Sequence, residues 1–164
     1  MPILIVFALI AVIVAVFLGR AKEQQMLTVY EGNLKQLPVE IKLGHYQDTQ
    51  CGMPVEQLGD SCQVSAPDGK TWFFDDVGCM ALWIENKSFI DEAKIWVYSR
   101  DTDGWIDART AWYSLTDNTP MRYGFGAYST RQEGFIDFET MKLKMLRGEN
   151  MTDPYVRREL LGNH

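Results

Sequence analysis

Residues 71–86 read TWFFDDVGCMALWIEN, and the fold is decided where this stretch changes its period. Thr71 to Phe74 is a run of β-branched and aromatic side chains, the composition of a short strand. Asp75 or Asp76 then offers a helix cap. Val77, Met80, Ala81 and Ile84 recur at spacings of three and four, which places them on one face of a helix running to about Asn86.

Working outward, a second strand is expected just upstream at Cys62–Ala66. Ala66-Pro67-Asp68-Gly69 joins it to the first, with Pro at the second turn position and Gly at the last. Downstream, strands are expected at Lys94–Ser99, Ile106–Ala108, Ala111–Leu115 and Tyr123–Tyr128, with a polar turn at Asp101-Thr102-Asp103-Gly104. A helix capped by Asp137 buries Phe138, Met141 and Met145 and stops at Gly148. Another starts from Asp153 with Pro154 in its first position and ends by Gly162. Strand pairs interrupted by helices give an α+β fold with a mainly antiparallel sheet.

The N-terminus is of another kind. Ile3 to Leu18 is an unbroken apolar run, and no residue from Pro2 to Gly19 is charged, which fits a single transmembrane helix over residues 1–20. No basic segment precedes the run and no small-x-small site closes it, so it reads as a retained anchor. Residues 21–45 are polar and mixed and are expected to be a spacer. That leaves 46–164 as one domain, a usual size for a single core. The net charge of -6, with no block of Lys or Arg, excludes nucleic acid as a partner.

The candidate chemistry is that of soft sulfur. The three cysteines are Cys51, Cys62 and Cys79, and two stand beside methionines, in Cys51-Gly52-Met53 and Cys79-Met80. Thiolate and thioether donors favour Cu(I), whereas structural zinc usually takes four Cys or His, and only His45 and His164 are present. Cys79 falls in the first turn of its helix, where the dipole is expected to stabilise a thiolate. Core packing competes with ligation as the reason for each sulfur, since Cys and Met fill interiors. Asp75 and Asp76 are read as caps rather than as an acid and base pair. No phosphate loop, nucleophile elbow, dinucleotide fingerprint or H-E-x-x-H motif is present.

Taken in order, Cys51-Gly52-Met53, the hairpin, Trp72 through Met80, Trp96-Val97, Trp105-Ile106-Asp107-Ala108 and Thr119-Pro120-Met121 resemble the NosL family, accessory proteins of nitrous-oxide reductase. The resemblance covers roughly Gln50 to Gly148. It implies β-β-α-β units, a single bound Cu(I) delivered to a recipient copper enzyme or membrane complex, and no catalysis of its own. It also implies a membrane-tethered domain on the extracytoplasmic, periplasmic side of the inner membrane. Met121 matches the family's methionine ligand. Two departures stand out: no lipid-bearing Cys follows the apolar run, and Tyr123 stands where the family has a histidine ligand. The expected metal ligands are therefore Cys51, Met53, Cys79 and Met121. Two other readings remain open, a thiol redox protein using Cys51 and Cys79, and an interaction subunit whose Trp-rich surface is an interface.

Overall fold

The computed structural model describes residues 2–23 and 26–162. Residue 1 of the expected anchor, 24–25 of the expected spacer and 163–164 of the domain lie outside the described residues. Eleven elements follow in chain order. These are helix α1 (Pro2–Glu23), strands β1 (Val29–Tyr30), β2 (Cys62–Ser65) and β3 (Thr71–Phe74), helix α2 (Val77–Ile84), and strands β4 (Lys94–Ser99), β5 (Gly104–Asp107), β6 (Trp112–Tyr113) and β7 (Ala127–Tyr128). Helices α3 (Phe138–Leu146) and α4 (Pro154–Leu161) complete the chain. The main sheet has the order β1-β3-β2-β4-β5, every pair antiparallel, and β6 and β7 form a second, two-stranded ribbon. The α+β reading with a mainly antiparallel sheet holds, and β2-β3-α2-β4 is a β-β-α-β unit.

The pleat divides the sheet's two faces. Cys62 and Val64 of β2, Phe74 of β3, and Ile95 and Val97 of β4 pack with Val77, Met80, Ala81 and Ile84 of α2. Phe138, Met141 and Met145 of α3 extend this core. On the opposite face Phe73 packs with Ile41, Tyr46 and Val55. Both faces are covered, so β2 is buried at every position rather than at alternate ones.

The second cover corrects the spacer expected over 21–45. Val29 and Tyr30 pair with Trp72 and Thr71 at the sheet edge. The backbone of Val39 exchanges two hydrogen bonds, each 2.8 Å, with the side-chain amide of buried Gln63, and Trp96 Nε1–H donates to the Gln36 carbonyl (2.9 Å). Beyond the two-residue ladder of β1, side-chain and backbone hydrogen bonds rather than a regular element tie the segment down, which is why it lacks periodicity. From residue 26 onward the chain is part of the fold.

Three other expectations change at their edges. The strand expected at Ile106–Ala108 is Gly104–Asp107, and those at Ala111–Leu115 and Tyr123–Tyr128 shrink to two residues each. Between them the chain turns through Arg122 and Gly124, both with positive φ (61° and 94°). A Cβ on Gly124 would lie 2.3 Å from the Leu115 carbonyl oxygen, so glycine is required there by close backbone approach. The three domain helices begin at the caps read from sequence, Asp76, Asp137 and Asp153.

Helix α1 is 22 residues long, and the described side chains 6–19 are all exposed. Among the described residues no helix is long and apolar enough to cross a membrane.

Candidate metal centre

Asp48, Cys51, Asp75 and Cys79 converge, each offering one ligand atom, and these atoms all lie within 4.8 Å of one another. They come from two pieces of chain. The first is the loop 46–55, closed by Val55 N–H donating to the Tyr46 carbonyl (2.8 Å) and Asp48 N–H to the Met53 carbonyl (2.7 Å). Gly52, at φ 80°, turns the chain between Cys51 and Met53. Thr49 N–H donates to the Phe73 carbonyl (2.9 Å), docking this loop on β3.

The second piece is the junction between β3 and α2. There the tandem aspartates divide their work. Asp76 is the cap: its Oδ1 accepts from Gly78 N–H (2.8 Å), and its Oδ2 accepts from Met121 N–H (2.9 Å), which draws the 118–124 segment to the site. Asp75 is no cap; its Oδ1 accepts from the Cys51 thiol at 3.6 Å. Its backbone N–H donates to Asp48 Oδ2 (2.9 Å), while Asp48 Oδ1 accepts from Gln50 N–H (2.6 Å) and Cys51 N–H (2.9 Å). One buried carboxylate thus staples the cysteine loop to the strand–helix junction.

The electrostatics reverse one expectation. Burial raises the Cys79 pKa far above the usual thiol range, and the neighbouring Asp48, Cys51, Asp76 and Asp75 push it further in the same direction. The helix dipole at the start of α2 does not prevail over desolvation and this local negative charge. Cys51 is pushed up to about 11, mainly by burial. Asp75 is pushed up to about 8, by burial first and then by the Asp48 carboxylate. Burial thus favours the protonated forms of Cys51, Cys79 and Asp75, and a cation bound there would have to displace those protons.

The other expected ligands take different places. Met53 is 43% exposed and lines a cavity of about 340 Å³ together with Asp75, Thr119, Pro120 and Arg122. Met121 is partly buried against the core, its backbone held by Asp76. Cys62 is fully buried in β2, outside the cluster. Tyr123 lies against Gly78, where an added Cβ would come within 2.3 Å of its ring. Sequence reading missed Asp48 altogether and took Asp75 for a cap. The signal for Asp48 is its spacing, since an Asp two and three residues before Gln50 and Cys51 can accept both backbone N–H groups in a local turn.

No family model matches the sequence, and no curated protein matches it. Among solved structures, the copper chaperone NosL from Shewanella denitrificans is similar, with a TM-score of 0.52 and 14% identity over 66% of this chain and 87% of that one. The likeness is one of fold. It agrees with the family resemblance carried by the order of the motifs, and at this identity it leaves the ligands to be argued from the residues themselves.

Proposed function

We propose that this protein is a Cu(I)-handling accessory protein, a copper chaperone or assembly factor without catalysis of its own. The observation that supports this most is the convergence of Cys51 and Cys79, twenty-eight positions apart, into one cluster beside an open cavity. Two thiolates are a sufficient soft core for Cu(I), and the thioethers of Met53 and Met121 are the donors at hand to complete or exchange it. Sulfur-for-sulfur exchange lets a tightly held ion move to a recipient without ever being free. The fold's likeness to a copper chaperone supports the same reading.

The apolar run Ile3–Leu18 supports an anchor in the inner membrane, with the domain on its periplasmic side and a membrane-bound copper enzyme or complex as recipient. A thiol redox role would use the same pair, but thiols held protonated are poor attacking groups. The test is Cu(I) competition against a chromophoric chelator with the reduced full chain under anaerobic conditions. One tight Cu(I) per chain, weakened by Cys51→Ser, by Cys79→Ser and less by Met121→Leu, supports the reading. Equal affinity in wild type and the cysteine variants refutes it.

A further inference from the structure

Copper capture by sulfur leaves the carboxylates of the cluster without a role, because Cu(I) favours thiolate and thioether while carboxylate suits harder or borderline ions. Asp48 and Asp75 differ in how much of their coordinating capacity is free. Asp48 already accepts three backbone N–H bonds, from Gln50, Cys51 and Asp75, and an ionised carboxylate offers about four acceptor sites. Asp75 instead directs its Oδ1 at the Cys51 sulfur and lines the cavity.

We propose that Cys51, Cys79 and Asp75 together form a site for a borderline divalent cation of the zinc class, with Asp48 as the positioning residue and one coordination position open to the cavity. This inference shares its two cysteines with the copper reading but not Asp75. Three protein ligands plus an open position is a usual zinc arrangement, and at bond lengths of about 2.0–2.3 Å tetrahedral donors lie about 3.3–3.8 Å apart. The cluster's atoms, all within 4.8 Å of one another, reach that spacing by side-chain shifts on the order of an ångström.

Charge balance favours a doubly charged ion. With both thiols and both carboxyls ionised the cluster carries four negative charges, and among the described residues neither Asp48 nor Asp75 forms an ion pair. A divalent cation offsets twice as much of that charge as Cu(I) does.

The experiment adds Zn(II), and separately Co(II) as its spectroscopic stand-in, to the reduced, metal-free full chain. One Co(II) per chain should give an intense thiolate-to-cobalt band together with strong tetrahedral d–d absorption. Asp75→Asn should weaken Zn(II) binding in chelator competition by roughly 10- to 100-fold while Cu(I) affinity changes less than about threefold; Asp48→Asn should weaken both ions together. Circular dichroism confirms that each variant folds. Absence of the thiolate-to-cobalt band in wild type overturns the proposal regardless of how any variant folds, and so does unchanged Zn(II) affinity in Asp75→Asn. Zn(II) binding without Cu(I) binding would overturn the copper reading and leave this one standing.

Discussion

Replacing Asp75 by Asn should make the metal-free protein more stable at pH 8, although it removes a carboxylate from the centre. In the folded chain Asp75 keeps its proton until about pH 8, against an ordinary value of 3.8, because burial and the Asp48 carboxylate oppose its charge. Between those values the folded state binds a proton that the unfolded state has lost. The sign follows: the contribution is fully present below about pH 4 and drains away as pH rises to 8. At about 1.4 kcal/mol per unit the ceiling exceeds 5 kcal/mol. Solvent reaching the site through the cavity, together with relaxation, reduces this to roughly 2 kcal/mol. For a domain of this size that is a rise in melting temperature of roughly 5 to 10 °C at pH 8, shrinking towards zero near pH 4. The assay is thermal unfolding of reduced, chelator-treated wild type and Asp75→Asn across that range, compared as a difference so that other titrating groups cancel. A variant no more stable than wild type at pH 8, or a gap that does not narrow on acidification, would sink the reasoning. Saturating Zn(II) should reverse the order, since only wild type keeps the carboxylate ligand.

Gly78→Ala places a Cβ 2.3 Å from Tyr123 Cδ2 and 3.0 Å from Met145 Sδ. Urea unfolding should show a loss of roughly 2 kcal/mol, part of it recovered when Tyr123→Leu is added. Arg100 donates from Nε (2.9 Å) and Nη2 (2.6 Å) to Asp60, whose side chain is 1% exposed. Arg100→Met strands that carboxylate and should cost about 3 kcal/mol, with the Arg100→Met, Asp60→Asn pair measurably more stable than Arg100→Met alone. Cys62→Ala should lower stability by about 1 kcal/mol yet leave Cu(I) affinity and stoichiometry unchanged, because Cys62 is a buried strand residue outside the cluster.

How much of this was legible in sequence depends on whether an element's own side chains carry its signal. The β3–α2 junction, the hairpin turn and the three helix caps were readable because each rests on local chemistry, a change of period or an Asp at a helix start. The 26–45 segment was not. Its hold on the sheet depends on Gln63, Gln36 and Asn33, polar residues that read as solvent-facing until the partners across the sheet are known. The shortened strands at 111–128 fail for the opposite reason. Their composition favours strand, but Gly124 must lie against the Leu115 carbonyl, and that turn breaks the ladder. At the candidate site, residue type singles out Cys51 and Cys79, which the fold brings together, whereas Asp48 acts through backbone N–H groups and leaves no mark beyond its spacing.

Position 123 sits beside the candidate site. Where the resemblance leads one to expect an imidazole, Tyr123 is partly buried, packs on Gly78, and has its phenol pushed up to about 12, by burial and then by the nearby Cys79 and Asp76. A neutral phenol is a weak ligand for a soft ion, so this side of the centre is closed by a ring rather than completed by a donor. The thiols and carboxyls that converge come from the 46–55 loop and the β3–α2 junction. There Cys79 lies next to the glycine whose bare Cα admits the ring. The 118–124 segment, tied by Met121 N–H to the cap carboxylate of Asp76, forms part of the cavity wall. On this geometry Tyr123→His should add a donor without moving the backbone of α2, and Cu(I) binding in that variant should become less sensitive to Cys79→Ser than in wild type. Unaltered sensitivity would mean that residue 123 does not face the metal.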